Sequence, residues 1–352
     1  MVYSLMIENK KQLGKTKLHV PPIIFGTSCL GNLYQELPYE TKLQIVSEWF
    51  RHVKPPVVVD TAGKYGAGLA LEIIGRTLRE LKVKPEDVLI SNKLAWKRTA
   101  LETDEPTFEP GAWVGINHDA RQVISYDGIL ECFEQGCELL GGQYIPQIVS
   151  VHDPDEYLAA AKDENDRQQR LDNIFDAYKA LHELKSAGKV KALGVGAKDW
   201  KVIREITNNI QLDWVMFACS LTVYTHPAQL LEFMAELNNK NIAMINSAVF
   251  NAGFLTGGDY FDYRKTDPQK DDQLFDWRRR FFACCKKFNV TPANACVQFG
   301  LSVPGVIATA LNTSKPHRIK ENTDSVTSKI PPEFWKTMRN EKLIADHFPF
   351  IS

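Results

Sequence analysis

Three short apolar runs in this chain end in residues that can move a proton or hold a charge. Val57-Val58-Val59 runs into Asp60, and Tyr65 follows five residues later. Val88–Ser91 leads through Asn92 to Lys93, and Ile148–Val151 leads into His152 with Asp153-Pro154 behind it. A phenol has an ordinary pKa of about 10 and is a poor acid or base near neutrality. An ammonium beside it lowers that value, and a carboxylate holds the ammonium in place. A neutral imidazole can hydrogen-bond the same substrate oxygen and fix its orientation. Together these parts suit proton transfer coupled to hydride transfer at a C–O bond, with the hydride supplied by a cofactor. Asp60, Tyr65, Lys93 and His152 are therefore the candidate catalytic residues.

Something must bring the ends of separate runs together. The pattern predicts strands at Ile23–Cys29, Val57–Thr61, Asp87–Leu94, Gln147–His152, Val190–Gly196, Trp214–Cys219, Ile242–Ala248 and Val306–Leu311. Helices are predicted at Tyr39–His52, Leu69–Glu80, Tyr126–Leu140, Asn173–Ser186, Trp200–Asn208, Pro227–Asn239, Asp272–Phe288 and Pro316–Ser325. The strands are apolar nearly throughout, as strands covered on both faces should be. Eight strand–helix units predict an α/β fold, a (β/α)8 TIM barrel, with residues 1–352 as a single domain. An open dinucleotide-binding sheet would carry G-x-G-x-x-G after its first strand, and Gly26-Thr-Ser-Cys-Leu-Gly31 does not match it. In a barrel, the ends of strands two, three and four share one rim.

Two long stretches follow predicted strands: Ala95–Ser125, and Asn251–Asp271 with Gly253, Gly257, Gly258 and Pro268. Both fall on the C-terminal face, where long loops cover substrates. Trp96, Trp113, Asn251 and Tyr260 are candidates there, as lid aromatics or as loop packing. Ala160–Leu171 reads as a solvated helix or loop, and Arg278-Arg279-Arg280 as a solvated helix face.

Composition narrows the function classes. The 352 residues are 44% hydrophobic and 24% charged, which fits a folded globular chain. With 42 basic and 43 acidic residues, no nucleic acid or anionic membrane partner follows from charge. No apolar stretch reaches the ~18 residues a membrane span requires, and Met1–Lys11 lacks a signal-peptide core. The seven cysteines form no C-x-x-C pair and sit mostly in apolar runs, so a reducing, cytoplasmic setting is expected. Cys219, at the end of a predicted strand, is a candidate pocket residue, and Cys284-Cys285 are expected in the core.

The chain resembles the aldo-keto reductase family over nearly its whole length. The segments that carry the likeness are Phe25-Gly-Thr-Ser-Cys-Leu-Gly31, Asp60-Thr-Ala-Gly-Lys-Tyr-Gly66, Ile74-Gly-Arg76 and Ser91-Asn-Lys93, followed by His152-Asp-Pro154, Gly188-Lys-Val-Lys-Ala-Leu-Gly194 and Arg318-Ile-Lys-Glu-Asn322. The resemblance implies a catalytic tetrad of Asp60, Tyr65, Lys93 and His152. It also implies a nicotinamide cofactor, NAD or NADP, contacted by Gly26, Thr27, Asp60, Gly196, Asn246, Ser247, Arg318 and Asn322, and no metal. Val151-His-Asp-Pro-Asp155 and Ile245-Asn-Ser-Ala-Val-Phe-Asn-Ala-Gly-Phe-Leu255 look like the aldose dehydrogenase branch (L-fucose, D-threo-aldose and L-galactose dehydrogenases). That branch implies oxidation of a sugar hemiacetal carbon to a lactone, with Tyr65 accepting the hydroxyl proton, and a monomer or small homo-oligomer.

The sequence departs from many family reductases at two points. Gly196-Ala197 stands where a Ser-Asn pair commonly holds the carboxamide, and Asn246 where a Tyr commonly stacks on the nicotinamide. Asn312 stands where a Lys is common near the 2′-phosphate, leaving Arg318 and Lys315 as the available charges. A helix start near Thr313–Lys315 would favour a phosphate. Other readings stay open: a broad aldehyde or ketone reductase, a Schiff-base lyase using Lys93, or a non-catalytic cofactor-binding redox sensor.

Overall fold

In the computed structural model, residues 6–351 are described, so Met1–Leu5 of the Met1–Lys11 stretch lie outside it. Eight strands form a closed, all-parallel barrel: β1 (Ile23–Gly26), β2 (Val57–Ala62), β3 (Val88–Leu94), β4 (Ile148–His152), β5 (Ala192–Ala197), β6 (Trp214–Ala218), β7 (Ala243–Ser247) and β8 (Val306–Leu311). Each pairs with its neighbours in chain order, and β5–β6 and β8–β1 pairing completes the ring. The eight predicted strands are the eight barrel staves.

Strand residues alternate between the barrel interior and the helical shell. Ile24, Val58, Leu89, Ile148, Ala192, Trp214, Met216, Ala243 and Ile245 share one interior cluster. Val57 and Val59 belong to a different cluster, under the helices. With Val58 inside, Asp60 must also face inward, toward the open end. The Trp214 indole fills the interior opposite Gly194, where a Cβ would sit 2.2 Å from the ring. A hairpin of Lys11–Gln12 and His19–Val20 adds Leu13 and Val20 to the same cluster and stops the N-terminal end.

Helices Tyr39–His52 and Leu69–Glu80 have the predicted limits. One prediction fell short. The helix expected from Asn173 begins at Glu164, capped by the Asp163 carboxylate accepting from the Asp166 amide at 2.8 Å. Helices Pro154–Ala159, Pro292–Leu301 and Pro332–Asn340 were not placed by the sequence pattern.

The two long stretches are built structures. Residues 95–125 carry an antiparallel hairpin, Trp96–Ala100 with His118–Gln122, and a small core of Phe108, Trp113, Ile116, Ala120 and Ala67. Residues 251–271 carry a short hairpin, Tyr260–Phe261 with Arg264–Lys265. Arg278 is no solvated side chain. Its guanidinium donates to the carbonyls of Phe254 (3.3 Å) and Gly258 (2.8 Å) and lies 4.0 Å from the Phe254 ring centre, clamping this loop. No helix among the described residues is long and apolar enough to cross a membrane.

Candidate active site

The C-terminal rim gathers the four side chains. Asp60 lies on the inward row of β2, and Lys93 and His152 end the inward rows of β3 and β4. Lys93 and Asp60, both about 5% exposed, form a direct ion pair, and the Ser91 hydroxyl donates to the other Asp60 oxygen at 3.4 Å. The Lys93 ammonium lies 4.9 Å from the centre of the Tyr65 ring. The His152 ring meets the Tyr65 ring edge-on, with centres 5.7 Å apart.

Tyr65 is held by the tight turn after β2. Gly66 has φ +62, and a Cβ there would lie 2.3 Å from the Gly31 carbonyl oxygen; a Cβ on Gly31 would lie 2.7 Å from the Tyr65 backbone. Only glycine at both points lets the loops after β1 and β2 touch. Thr27, fully buried, donates its hydroxyl to the Asp60 carbonyl at 2.9 Å and locks the same junction.

The electrostatics differ from the sequence expectation at Tyr65. Burial, then the Asp60 and Asp153 carboxylates, push its phenol well above its ordinary value, and the Lys64 ammonium only opposes them. An expected depression by Lys93 is outweighed because that ammonium is neutralised by Asp60 and the phenol is desolvated. Tyr65 rests as a neutral proton donor. Burial, followed by the Lys93 and Lys64 ammoniums, holds His152 well below the usual imidazole range, so its ring is neutral at pH 7.

The expected cofactor contacts divide. Gly26 and Gly196 face the mouth at the ends of β1 and β5, and a Cβ on Gly196 would meet Met216 at an ordinary 3.5 Å. Ser247 lies on the inward row of β7, its hydroxyl donating to the Phe217 carbonyl at 3.1 Å. Asn246 does not face the mouth. Its amide donates to the carbonyls of Leu221 (2.9 Å) and Gly300 (3.3 Å), outside the barrel wall. The expectation fails for a simple reason: adjacent strand residues point to opposite faces. Arg318 opens helix Arg318–Ser325, with Asn322 one turn on; Arg318 and Lys315 are exposed and make no ion pair among the described residues. The helix starts at Arg318, later than the expected Thr313–Lys315.

Loop residues close the site from above. The Trp113 ring lies 5.8 Å from that of Tyr65, and Trp96 packs on Phe108 at 5.7 Å. Tyr34 and Tyr260 stack at 5.3 Å on the rim, where Tyr263 is also exposed. Asn251 is buried and donates to Asp262 at 2.8 Å, a loop-packing role. Cys219 is buried beside Asp262, and burial pushes its thiol up. Cys284 and Cys285 are buried in the core. Sequence reasoning passed over Lys64, Glu109 and Asp153, which form an ion cluster beside the tetrad. Lys64 and Asp153 stand inside segments that carry the family likeness, whereas nothing in the sequence singles out Glu109.

A model of the Aldo/keto reductase family matches residues 22–341. The chain belongs to the aldo/keto reductase family. It is an oxidoreductase enzyme. It is 28% identical to a pyridoxal 4-dehydrogenase of Microbacterium luteolum, over 97% of this chain and 99% of that relative. It is 24% identical to a D-threo-aldose 1-dehydrogenase of a Pseudomonas species, over 93% and 95%. The fold is that of an aldo-keto reductase from Bacillus halodurans, solved in its holo form. The two superpose with a TM-score of 0.68 at 19% identity, over 96% and 98% of the chains.

Proposed function

We propose that this family member oxidises the hemiacetal carbon of an aldose, or a related carbonyl-derived hemiacetal, to a lactone, with Tyr65 as the general acid–base. The observation that carries this is the meeting of a neutral phenol, a neutral imidazole and a buried Lys93–Asp60 pair under an aromatic roof.

Residues at the rim fit a nicotinamide dinucleotide, NAD or NADP. Bare backbone at Gly196 leaves room at the mouth, while at Gly26 it lets Asn312 approach, to where a Cβ on the glycine would sit 3.2 Å from the Asn312 side chain. The unpaired cations Lys315 and Arg318 suit the phosphate end, with Asn322 one turn away. Such a group supplies the hydride acceptor. The chain does the rest. In its deprotonated form Tyr65 takes the proton from the anomeric hydroxyl as C1 loses hydride, and as the neutral phenol that dominates at rest it gives the proton back when the reaction runs toward reduction. His152, neutral, hydrogen-bonds the same oxygen and orients it. The Lys93 ammonium, fixed by Asp60, stabilises the phenolate form of Tyr65 that accepts the proton in oxidation and is left behind in reduction. Thr27 and Ser247 steady the rim through their bonds to the Asp60 and Phe217 carbonyls. We read residues 1–352 as one barrel domain acting in a reducing cytoplasm, where its seven free cysteines would stay reduced.

One observation favours a second substrate. Tyr34, Tyr260, Tyr263 and Trp113 give the rim flat apolar faces, and one relative is named for pyridoxal. The aldehyde and neighbouring hydroxymethyl group of pyridoxal close to a cyclic hemiacetal, so the same chemistry would serve it. Nicotinamide absorbance with free aldoses, pyridoxal and simple aldehydes, each with NAD and NADP, tests the reading. Turnover of a hemiacetal substrate is expected. Turnover confined to simple aldehydes would replace the proposal with a general reductase, and borohydride trapping of substrate on Lys93 would replace it with a Schiff-base lyase.

A further inference from the structure

Beside the tetrad lies a buried charge cluster that the mechanism above does not use. The Lys64 side chain is 6% exposed, and its ammonium lies 2.7 Å from Glu109, 2.7 Å from Asp153 and 3.4 Å from Glu156. These partners come from different excursions: Lys64 from the turn after β2, Glu109 from the stretch after β3, and Asp153 and Glu156 from the segment after β4. The other Glu109 oxygen accepts from the Trp113 indole N–H at 2.8 Å. Trp113 in turn bridges to Leu33 and stands over Tyr65. Lys64 also lies 4.9 Å from the Trp96 ring centre.

Two of the three carboxylate partners sit in left-handed backbone, Glu109 at φ +44 and Asp153 at φ +51. Non-glycine residues hold that conformation only where their surroundings over-determine it. Here the common restraint is the Lys64 ammonium. The three carboxylates and Asp155 outnumber Lys64 and Lys198, so removing Lys64 leaves a cluster of like charges facing His152.

We infer that Lys64 is a positioning residue that clasps the 95–125 excursion closed over Tyr65 through Glu109. The clasp sets the height of the Trp113 roof and so selects which substrate seats beneath it. This rests on the reading of Tyr65 as the proton-transfer group. Glu109 is 38% exposed, against 6% for Lys64. The Glu109 contact is therefore where the clasp opens, while the buried Lys64–Asp153 contact persists.

The test compares Lys64→Met, Lys64→Arg and Glu109→Gln with the parent, by hydrogen exchange across residues 101–117 and by steady-state kinetics on the best hemiacetal substrate. Lys64→Met should lose exchange protection in that segment and raise KM about tenfold, with a smaller fall in kcat because Lys64 also opposes the rise of the Tyr65 phenol, the pattern of lost binding geometry. Its preference should shift toward small aldehydes. Lys64→Arg, which can still hold two carboxylates, should recover most of both effects. Glu109→Gln leaves no excess buried charge and so serves even if Lys64→Met fails to fold; it should loosen the same segment with nicotinamide cofactor affinity unchanged. Unchanged protection in Lys64→Met and Glu109→Gln overturns the clasp. So does an equal fall in cofactor affinity, kcat and thermal stability with no rescue by arginine. Exchange reads the clasp without turnover, so a failure of the proposed oxidation remains distinguishable from a failure of this inference.

Discussion

The Lys93 ammonium is paired with Asp60 and stands 4.9 Å from the centre of the Tyr65 ring. One cation thus faces both a carboxylate and a phenol. The carboxylate fixes it, and its remaining field reaches the phenol when that group gives up its proton. The stability cost of breaking the pair follows directly. Removing one member of a buried ion pair leaves an uncompensated charge, at about 3–5 kcal/mol. Asp60→Ala should destabilise by that order in urea titrations. The double variant with Lys93→Met should lose less than the sum of the two single losses. Additive losses would mean that the pair is not coupled.

The raised phenol predicts the pH profile. Oxidation needs Tyr65 as a base, so its deprotonated fraction limits the rate. In the oxidative direction, kcat/KM should climb about tenfold per pH unit through neutrality and keep rising past about pH 9. His152, held neutral, should add no limb between about pH 6 and 8. A plateau beginning below about pH 8 would show instead that Lys93 depresses the phenol as the sequence suggested.

Acid stability should be set partly by a histidine outside the tetrad. His226 is buried against Phe299 and Phe348. Its Nε2 accepts from the Ala345 amide at 3.0 Å, so its Nδ1 carries the proton and donates to the Thr222 carbonyl at 3.1 Å. Burial, the largest influence, lowers its pKa to about 4. The unfolded chain therefore binds a proton that the native state refuses between about pH 6.5 and 4. Stability is full above that window and falls as pH drops through it, by roughly 1 kcal/mol per pH unit from this residue. Melting temperatures of His226→Gln and the parent should converge as pH falls from 7 to about 4.5. A constant gap would refute the assignment.

Asn246 separates a structural role from a cofactor role. Its amide ties β7 to the carbonyls of Leu221 and Gly300. Asn246→Ala should cost about 1–3 kcal/mol of stability by leaving those buried carbonyls unpaired. Nicotinamide cofactor affinity, measured by fluorescence titration, should be unchanged. A large loss of affinity with stability intact would restore the residue to the cofactor face.

The barrel was readable because its strands are short and apolar while helices such as Tyr39–His52 carry a clear amphipathic period. The helix from Glu164 was partly missed because its first two turns are charged and solvated, although Asp163 and Asp166 carry a capping signal. Pro292–Leu301 likewise had its start written in Thr291-Pro292. The positions of Asp60, Lys93 and His152 could be placed from the ends of apolar runs. Asn246 and Ser247 could not both face the mouth, a constraint that strand alternation already imposes. The Lys64–Glu109 contact joins residues 45 apart through a folded excursion, and no local pattern encodes it.

The central claim is that Tyr65 moves the proton. Tyr65→Phe removes one oxygen and keeps the ring against Trp113 and His152. Steady-state turnover of the best substrate, measured with nicotinamide cofactor affinity on the same preparation, is the direct measurement. The account predicts a fall in kcat of at least about 100-fold with affinity unchanged. Turnover within about threefold of the parent would contradict it.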